Sequence, residues 1–102
     1  MYSARDRVEN EDWLAELQRA ADTLELGPET RSVAEDLFLS SIPDQDRSKR
    51  AAIAASLYAA SLIAGDGRTQ TTVAEATGVT RLTIQNRWKT TLEQAGLDPP
   101  NW

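Results

Sequence analysis

The chain of 102 residues contains no cysteine and no histidine. Their absence excludes disulfides, thiol nucleophiles and imidazole bases, and it removes the two side chains that hold most structural zinc ions. Catalysis would have to rest on carboxylates, lysine or serine. The adjacent acids Glu11–Asp12 and Glu35–Asp36 are instead typical of solvated helix faces. We therefore expect no cofactor, no metal and no enzymatic activity.

Long hydrophobic runs are also missing. The longest apolar stretch, Ala51–Ala64, includes serine and tyrosine and is too short to span a bilayer. The first residues, from Met1 to Asp6, lead into acidic sequence rather than into the apolar core of a secretory signal. We therefore expect a soluble, cytoplasmic protein with no membrane partner, and the length predicts a single domain.

Lysine is scarce, and the basic residues are unevenly placed. Of the 11 basic side chains nine are arginine and two are lysine. Residues 1–46 carry twelve acids and four bases, a net −8, whereas residues 47–92 carry seven bases and two acids, a net +5. The overall charge of −5 argues against a nucleic-acid partner, but the basic second half can bind phosphates locally. The arginine preference and acid excess fit a halophilic or a GC-rich source, and composition does not choose between them.

Apolar residues recur at helical spacing along the whole chain, and no segment alternates as a strand does. The predicted helices span about residues 10–26, 28–41, 48–64, 70–77 and 80–95. Asn10, Ser48, Thr69 and Thr80 are the expected N-caps, and Gly27 is expected to end the first helix. The third helix is apolar on almost every side, which is typical of a buried central helix. The sequence therefore predicts an all-α domain of five helices.

The last two helices have the plan of a helix-turn-helix: a short helix, Gly78 in the turn, and a longer helix. On a helical wheel, the core-facing residues of the last helix are Ile84, Trp88, Leu92 and Ala95. The opposite side carries Leu82, Gln85, Asn86 and Lys89, flanked by Arg81 and Arg87. Amide side chains can bind base edges, and arginine or lysine can reach phosphate or guanine. An ordinary solvated helix face is the alternative interpretation.

The most distinctive residues are Ala54-x-x-Leu57-Tyr-Ala-Ala in the third helix, Arg68-Thr-Gln before the fourth, Val73-Ala-Glu-Ala-Thr-Gly-Val-Thr, and Leu82-Thr-Ile-Gln-Asn-Arg-Trp-Lys. Together they resemble a cyclin-like repeat of the transcription factor IIB family, and within that family the second repeat of archaeal transcription factor B. The resemblance covers about residues 10–95. It implies a cyclin-like domain at residues 10–96 with a C-terminal helix-turn-helix, between tails at 1–9 and 97–102.

The resemblance also implies DNA binding by the fourth and fifth helices, which in the family read an element beside the TATA box. The base-reading positions fall on Leu82 and Gln85, with Thr83 beside them and Asn86 on the same face. The phosphate-binding positions that it suggests are Arg47, Lys49, Arg50, Arg68, Arg81, Arg87 and Lys89. Double-stranded promoter DNA is the partner implied, with the TATA-binding protein, another transcription factor or a second copy of the chain as further partners.

The chain also departs from the family pattern. It holds one repeat where the family has two, and it lacks the N-terminal zinc ribbon and the linker that reaches the polymerase. We therefore expect a stand-alone transcription regulator rather than a complete initiation factor. Gln85 stands where the family usually has arginine, so the family's base preference does not carry over. The alternative is a protein-interaction module of the cyclin-box type, acting on the transcription machinery without direct DNA binding through its acidic first two helices.

Overall fold

Five α-helices follow one another in a computed structural model that describes residues 9–43 and 45–97. They are α1 (Glu11–Thr23), α2 (Pro28–Leu39), α3 (Asp46–Ile63), α4 (Gln70–Thr77) and α5 (Arg81–Gln94), and the described residues contain no strand. The all-α class and the number of helices predicted from the apolar period are confirmed. Nowhere in the described ranges is a helix both long and apolar enough to cross a membrane.

α3 is the central helix and packs against each of the other four. Its buried residues are Ala52, Ile53, Ala54, Ala55, Ser56, Leu57, Ala59, Ala60 and Ser61. Alanine dominates this set, and short side chains let neighbouring helices approach at the small end of the usual spacing of about 8–10 Å. The sequence predicts that this helix is apolar on almost every side. Its position explains this pattern, because α3 packs against all four of the other helices.

Long side chains from the outer helices fill the space around α3. Leu17 of α1, Leu37 and Phe38 of α2, and Leu92 of α5 are almost fully buried. Each such side chain contributes roughly 1.5–3 kcal/mol through removal from water. On α5, Trp88 meets Tyr58 of α3 edge to face, with ring centroids 5.4 Å apart, an arrangement that aromatic pairs favour.

Three helices end in the same hydrogen-bonded turn, with a left-handed residue just beyond the helix. Gly65 holds this position after α3 and Gly96 after α5, at φ of 73° and 80°. After α1 it is Glu25, at φ 55°, and the amides of Glu25 and Leu26 donate to the carbonyls of Asp22 and Ala21. The prediction that the first helix runs to about residue 26 and is ended by Gly27 is therefore wrong. α1 ends at Thr23 and the chain turns at Glu25, a residue type that does not signal such a turn in the sequence.

Helix starts follow the predicted caps at α4 and α5 but not at α3. The hydroxyls of Thr69 and Thr80 accept from the amides of Thr72 and Thr83, at 3.1 and 3.2 Å. α3 begins at Asp46, with Gln45 as its N-cap and no side-chain cap bond. Ser48, the predicted cap, thus lies inside the first turn.

A polar clasp ties the connection between α3 and α4 to the connection between α1 and α2. Asp66 accepts from the Gly27 amide at 3.1 Å and from the Thr30 hydroxyl at 3.4 Å. Its other carboxylate oxygen accepts from Arg68 at 3.0 Å. The Arg68 guanidinium also donates to the carbonyls of Leu24 and Glu25, at 2.9 and 3.2 Å. The clasp therefore fixes where α4 starts relative to α1 and α2.

The clasp leaves an electrostatic signature on Asp66. The Gly27 amide lowers the pKa of this carboxyl below its ordinary value of 3.8, and Arg68 and Thr30 act in the same direction. Partial removal from water opposes them but does not prevail. Asp66 is therefore held in its charged form.

Candidate nucleic-acid interface

The candidate interface is built on α4, the turn at Gly78, and α5. Gly78 is left-handed, at φ 78°, and its amide donates to the carbonyl of Ala74. This conformation costs glycine nothing, and it lets the chain reverse within three residues before α5 begins. Val73 and Ala74 bury one side of α4, and both helices pack against α3. Rigid apolar contacts thus position the exposed surface of α5.

α5 has two clearly different sides. Ile84, Trp88 and Leu92 are buried at 0%, 5% and 0% relative exposure. The outward residues are Leu82, Gln85, Asn86 and Lys89, and all four are exposed. Leu82 is the most unusual of them, because 61% of a large apolar residue faces solvent at the start of the helix. The structure therefore brings these predicted base-reading residues and Lys89 onto one surface.

Thr83 is placed differently from the other predicted base-reading residues. It is half-buried, and its hydroxyl lies 2.9 Å from the Thr80 hydroxyl. Its amide donates to the same Thr80 oxygen as part of the N-cap. Thr83 therefore contributes to the start of α5 in addition to any contact that its side chain makes outside.

Polar side chains join α4 to α5 across the exposed surface. Gln70, the first residue of α4, donates from Nε2 to Oε1 of Gln85 at 2.6 Å. Arg81 donates from Nη1 to Oε1 of Gln70 at 3.4 Å. The sequence places Gln70 in the Arg68-Thr-Gln string and at the start of the fourth helix, but it does not indicate this contact, because the contact joins residues fifteen positions apart.

The other predicted phosphate-binding residues have varied surroundings. Arg87 donates from Nη1 to the carbonyl of Ser48 at 3.1 Å, which joins α5 to the basic first turn of α3. Lys89 places Nζ 5.5 Å from the Trp88 ring centroid. Arg50 lies 6.0 Å from the ring centroid of Trp13, on α1. Lys49 is half-buried in the first turn of α3.

The remaining predicted phosphate-binding residues are Arg47 and Arg68. The side chain of Arg47 lies outside the part of the chain that the structure describes. Arg68 belongs to the clasp, where protein oxygens already surround its guanidinium. The structure thus gives Arg68 a role in holding the fold that the sequence did not predict.

Four helices arranged around a central fifth make the described residues an all-α, cyclin-like domain. The chain belongs to the transcription factor TFIIB repeat family, whose sequence model matches residues 8–94. The resemblance stated from the sequence is therefore confirmed.

Named relatives agree with the family match. Transcription initiation factor IIB of Archaeoglobus fulgidus is 51% identical over 45 residues, which is 44% of this chain and 14% of the relative. The factor of the same name from Pyrococcus horikoshii is 48% identical over 48 residues, or 47% of this chain and 16% of the relative. Transcription initiation factor IIB 2 of Thermococcus kodakarensis is 31% identical over 87 residues, which is 82% of this chain and 28% of the relative. The chain thus spans between about a seventh and just over a quarter of these relatives, which are initiation factors rather than enzymes.

Proposed function

We propose that this domain binds promoter DNA in transcription, with α4 and α5 acting as a helix-turn-helix and α5 lying in the major groove. The observation that carries the proposal is the outward surface of α5, where two amide side chains and an apolar side chain stand exposed on a helix anchored by Ile84, Trp88 and Leu92. A recognition helix needs this combination, because its reading side must be free while its other side is fixed.

Each outward residue has chemistry suited to a base edge. Gln85 and Asn86 each carry a donor and an acceptor, so either side chain can bind a base edge in the major groove. Leu82 is exposed and apolar, which suits contact with a thymine methyl group. Thr83 completes the proposed base-reading set from the first turn of the helix.

The proposed phosphate contacts come from basic residues around this surface. Arg81 and Lys89 lie on α5, and Arg87 joins it to the first turn of α3. Lys49, Arg50 and Arg47 extend the set along α3. Arg68 is left out because the clasp already binds its guanidinium. Each phosphate contact should contribute about −0.9 to the slope of log K against log salt on duplex DNA.

Binding-site selection on the wild type and on Gln85→Arg tests this function. Arginine donates two hydrogen bonds to guanine O6 and N7, so we expect stronger discrimination in favour of guanine at one base position, worth about 1–3 kcal/mol. Gln94→Arg is the matched control, since it adds the same group at an exposed position near the end of α5. It should strengthen binding to all sequences without changing preference. Equal strength of discrimination by the wild type and Gln85→Arg at every base position would contradict base reading by α5.

A second candidate function is protein binding by the acidic surface of α1 and α2, within the transcription machinery. Six exposed carboxylates lie on or between these helices: Glu11, Asp12, Asp22, Glu25, Glu29 and Asp36. The two arginines of the same helices, Arg19 and Arg31, are paired with Glu16 and Asp22. A basic protein partner would complement the negative charge of this surface.

Charge reversal separates the two functions. Glu29→Lys with Asp36→Lys should abolish capture of a basic partner if the acidic surface is the working one. On the DNA-binding proposal, the same change should leave DNA binding intact or strengthen it, because it removes repulsion from phosphates. Loss of DNA binding by a variant that remains folded would contradict the DNA-binding proposal, because lysines added on α2 should not repel phosphates.

A further inference from the structure

The orientation of the Gln85 amide is set by a neighbour on another helix. Gln70 makes contacts at both ends of its own amide: Oε1 faces Arg81, and Nε2 faces Gln85. Gln70 is half-buried at the start of α4, whereas Arg81 and Gln85 are exposed on α5. The three side chains therefore form a short chain of hydrogen bonds that ends on the proposed reading residue.

Arg81 determines which way the Gln70 amide points. A guanidinium is a donor only, so the atom facing it must be an acceptor. Turning the Gln70 amide over would place its NH2 group against the guanidinium and its oxygen against the Gln85 oxygen. Both contacts would then be unfavourable, because one would pair two donors and the other two acceptors. Gln70 is thus held with its NH2 group toward Gln85.

The same reasoning fixes Gln85. Its oxygen accepts from Gln70 at 2.6 Å, so its own NH2 group is directed away from that contact. We propose that Gln70 is a positioning residue that makes Gln85 present a hydrogen-bond donor to the base it meets, and thereby sets base preference. This inference rests on the proposed function, because it concerns the same reading surface.

A presented donor distinguishes base edges in the major groove. Guanine offers two acceptors there, N7 and O6, whereas cytosine offers only the amino donor N4. Gln85 should therefore favour guanine over cytosine at the position it contacts. Exchanging G·C for C·G at that position reverses the pattern of groups without changing the composition of the duplex.

Gln70→Glu is the variant that tests this mechanism. A carboxylate has no donor, and it can accept from Arg81 and from Gln85 together. The Gln85 amide should then turn its NH2 group inward and present its oxygen to the base. We expect the ratio of affinities for the G·C and C·G duplexes to change by about tenfold and to reverse in direction.

The added charge is controlled in two ways. Repulsion between the added carboxylate and the DNA phosphates weakens binding to both duplexes equally, so it cancels from the ratio of their affinities. Thr71→Glu adds the same charge at the next position of α4, which is exposed, and should leave the ratio unchanged. Circular dichroism of both variants checks that they remain folded.

A double-mutant cycle with Gln85→Ala decides whether Gln70 acts through Gln85. Gln85→Ala should remove the guanine preference, and adding Gln70→Glu to it should change nothing further. The inference is overturned if Gln70→Glu leaves the ratio unchanged while Gln85→Ala removes it, or if Gln70→Glu acts equally with Gln85 absent. If Gln85→Ala itself has no effect at any position, the proposed function fails as well, and the inference with it.

Discussion

The first two helices and the last two differ in how many of their long polar side chains remain exposed. Between α1 and α2, Arg31 turns inward and donates to the Leu26 carbonyl at 2.8 Å and to Gln18 at 3.4 Å, while also pairing with Asp22. On α5 the side chains of Arg81, Gln85 and Lys89 stay exposed at the surface, and Arg87 donates to the carbonyl of Ser48 at 3.1 Å.

This difference separates stability from surface chemistry along the chain. In the first pair, charged groups satisfy backbone carbonyls that a connection of four residues leaves open. In the last pair, buried apolar side chains and hydroxyl caps hold the helices, and the exposed amide and basic groups of α5 are left available for binding. Removing the charge of Arg31 should therefore cost stability, whereas removing the charge of the exposed Arg81 should cost DNA binding.

The largest loss of stability should come from placing a charge on the apolar side of α5. Ile84→Asp places a carboxylate at a position with 0% exposure, and we expect a loss of about 4–5 kcal/mol or more, enough to unfold a domain of this size. Leu82→Asp makes the same chemical change two residues away, at 61% exposure, and should alter stability by less than about 0.5 kcal/mol. Thermal melts followed by circular dichroism measure both. Equal losses would show that α5 does not have two distinct sides.

A matched pair of arginine substitutions tests the comparison directly. Arg31→Met keeps the aliphatic stem but removes the hydrogen bonds to Leu26 and Gln18, at an expected cost of about 1–3 kcal/mol in unfolding free energy. Arg81→Met removes an exposed group and should leave stability nearly unchanged while weakening DNA binding. Urea unfolding gives the unfolding free energy of each variant, and DNA titration gives the affinity of each variant for DNA. A stable Arg31→Met would remove the contrast between the two helix pairs.

Local caps should matter to an intermediate degree. Thr80→Ala deletes the hydroxyl that accepts from the Thr83 amide, and we expect a loss of about 1 kcal/mol. A domain of about 100 residues should then melt about 4–8 °C lower. Thr80→Ser retains the hydroxyl and should recover most of the loss. If serine fails to do so, the methyl group rather than the cap bond is responsible.

The smallest effect should be the pH dependence of the clasp. The folded-state pKa of Asp66 lies below its unfolded value, so its contribution to stability is present above pH 3.8 and is lost as pH falls through the folded pKa. Asp66→Asn should therefore lower the melting temperature at pH 7, and the gap to wild type should narrow as the pH falls below 3.8. A gap independent of pH would mean that Asp66 acts through its shape rather than its charge.

Local signals predicted much of the fold. The apolar period of three and four residues gives all five helices, and the hydroxyls of Thr69 and Thr80 mark two helix starts because a cap bond reaches only three residues ahead. The end of α1 was missed because Glu25 takes a left-handed conformation in which glycine is expected. The wheel also anticipated which side of α5 is buried, since Ile84 and Trp88 keep the helical period.

Contacts between distant residues were the part that could not be predicted. The family resemblance suggests a phosphate contact for Arg68, but its guanidinium donates to the carbonyl of Leu24, 44 positions earlier. Gln70 was noticed as part of a motif, but its bond to Gln85 depends on how α4 and α5 cross. A single sequence contains the residue types of such networks but not their partners, because the partners are chosen by tertiary packing.

The alanines of α3 also determine which parts of this domain are free to diverge in evolution. Ala54, Ala55, Ala59 and Ala60 have no exposed surface, so any larger side chain there must push a neighbouring helix outward, at roughly 1–3 kcal/mol. The exposed surfaces of α1, α2 and α5 carry no such constraint. Exposed residues can therefore be replaced one at a time, which changes the molecules that the domain can bind, while the buried alanines of α3 that set the spacing of the helices stay the same.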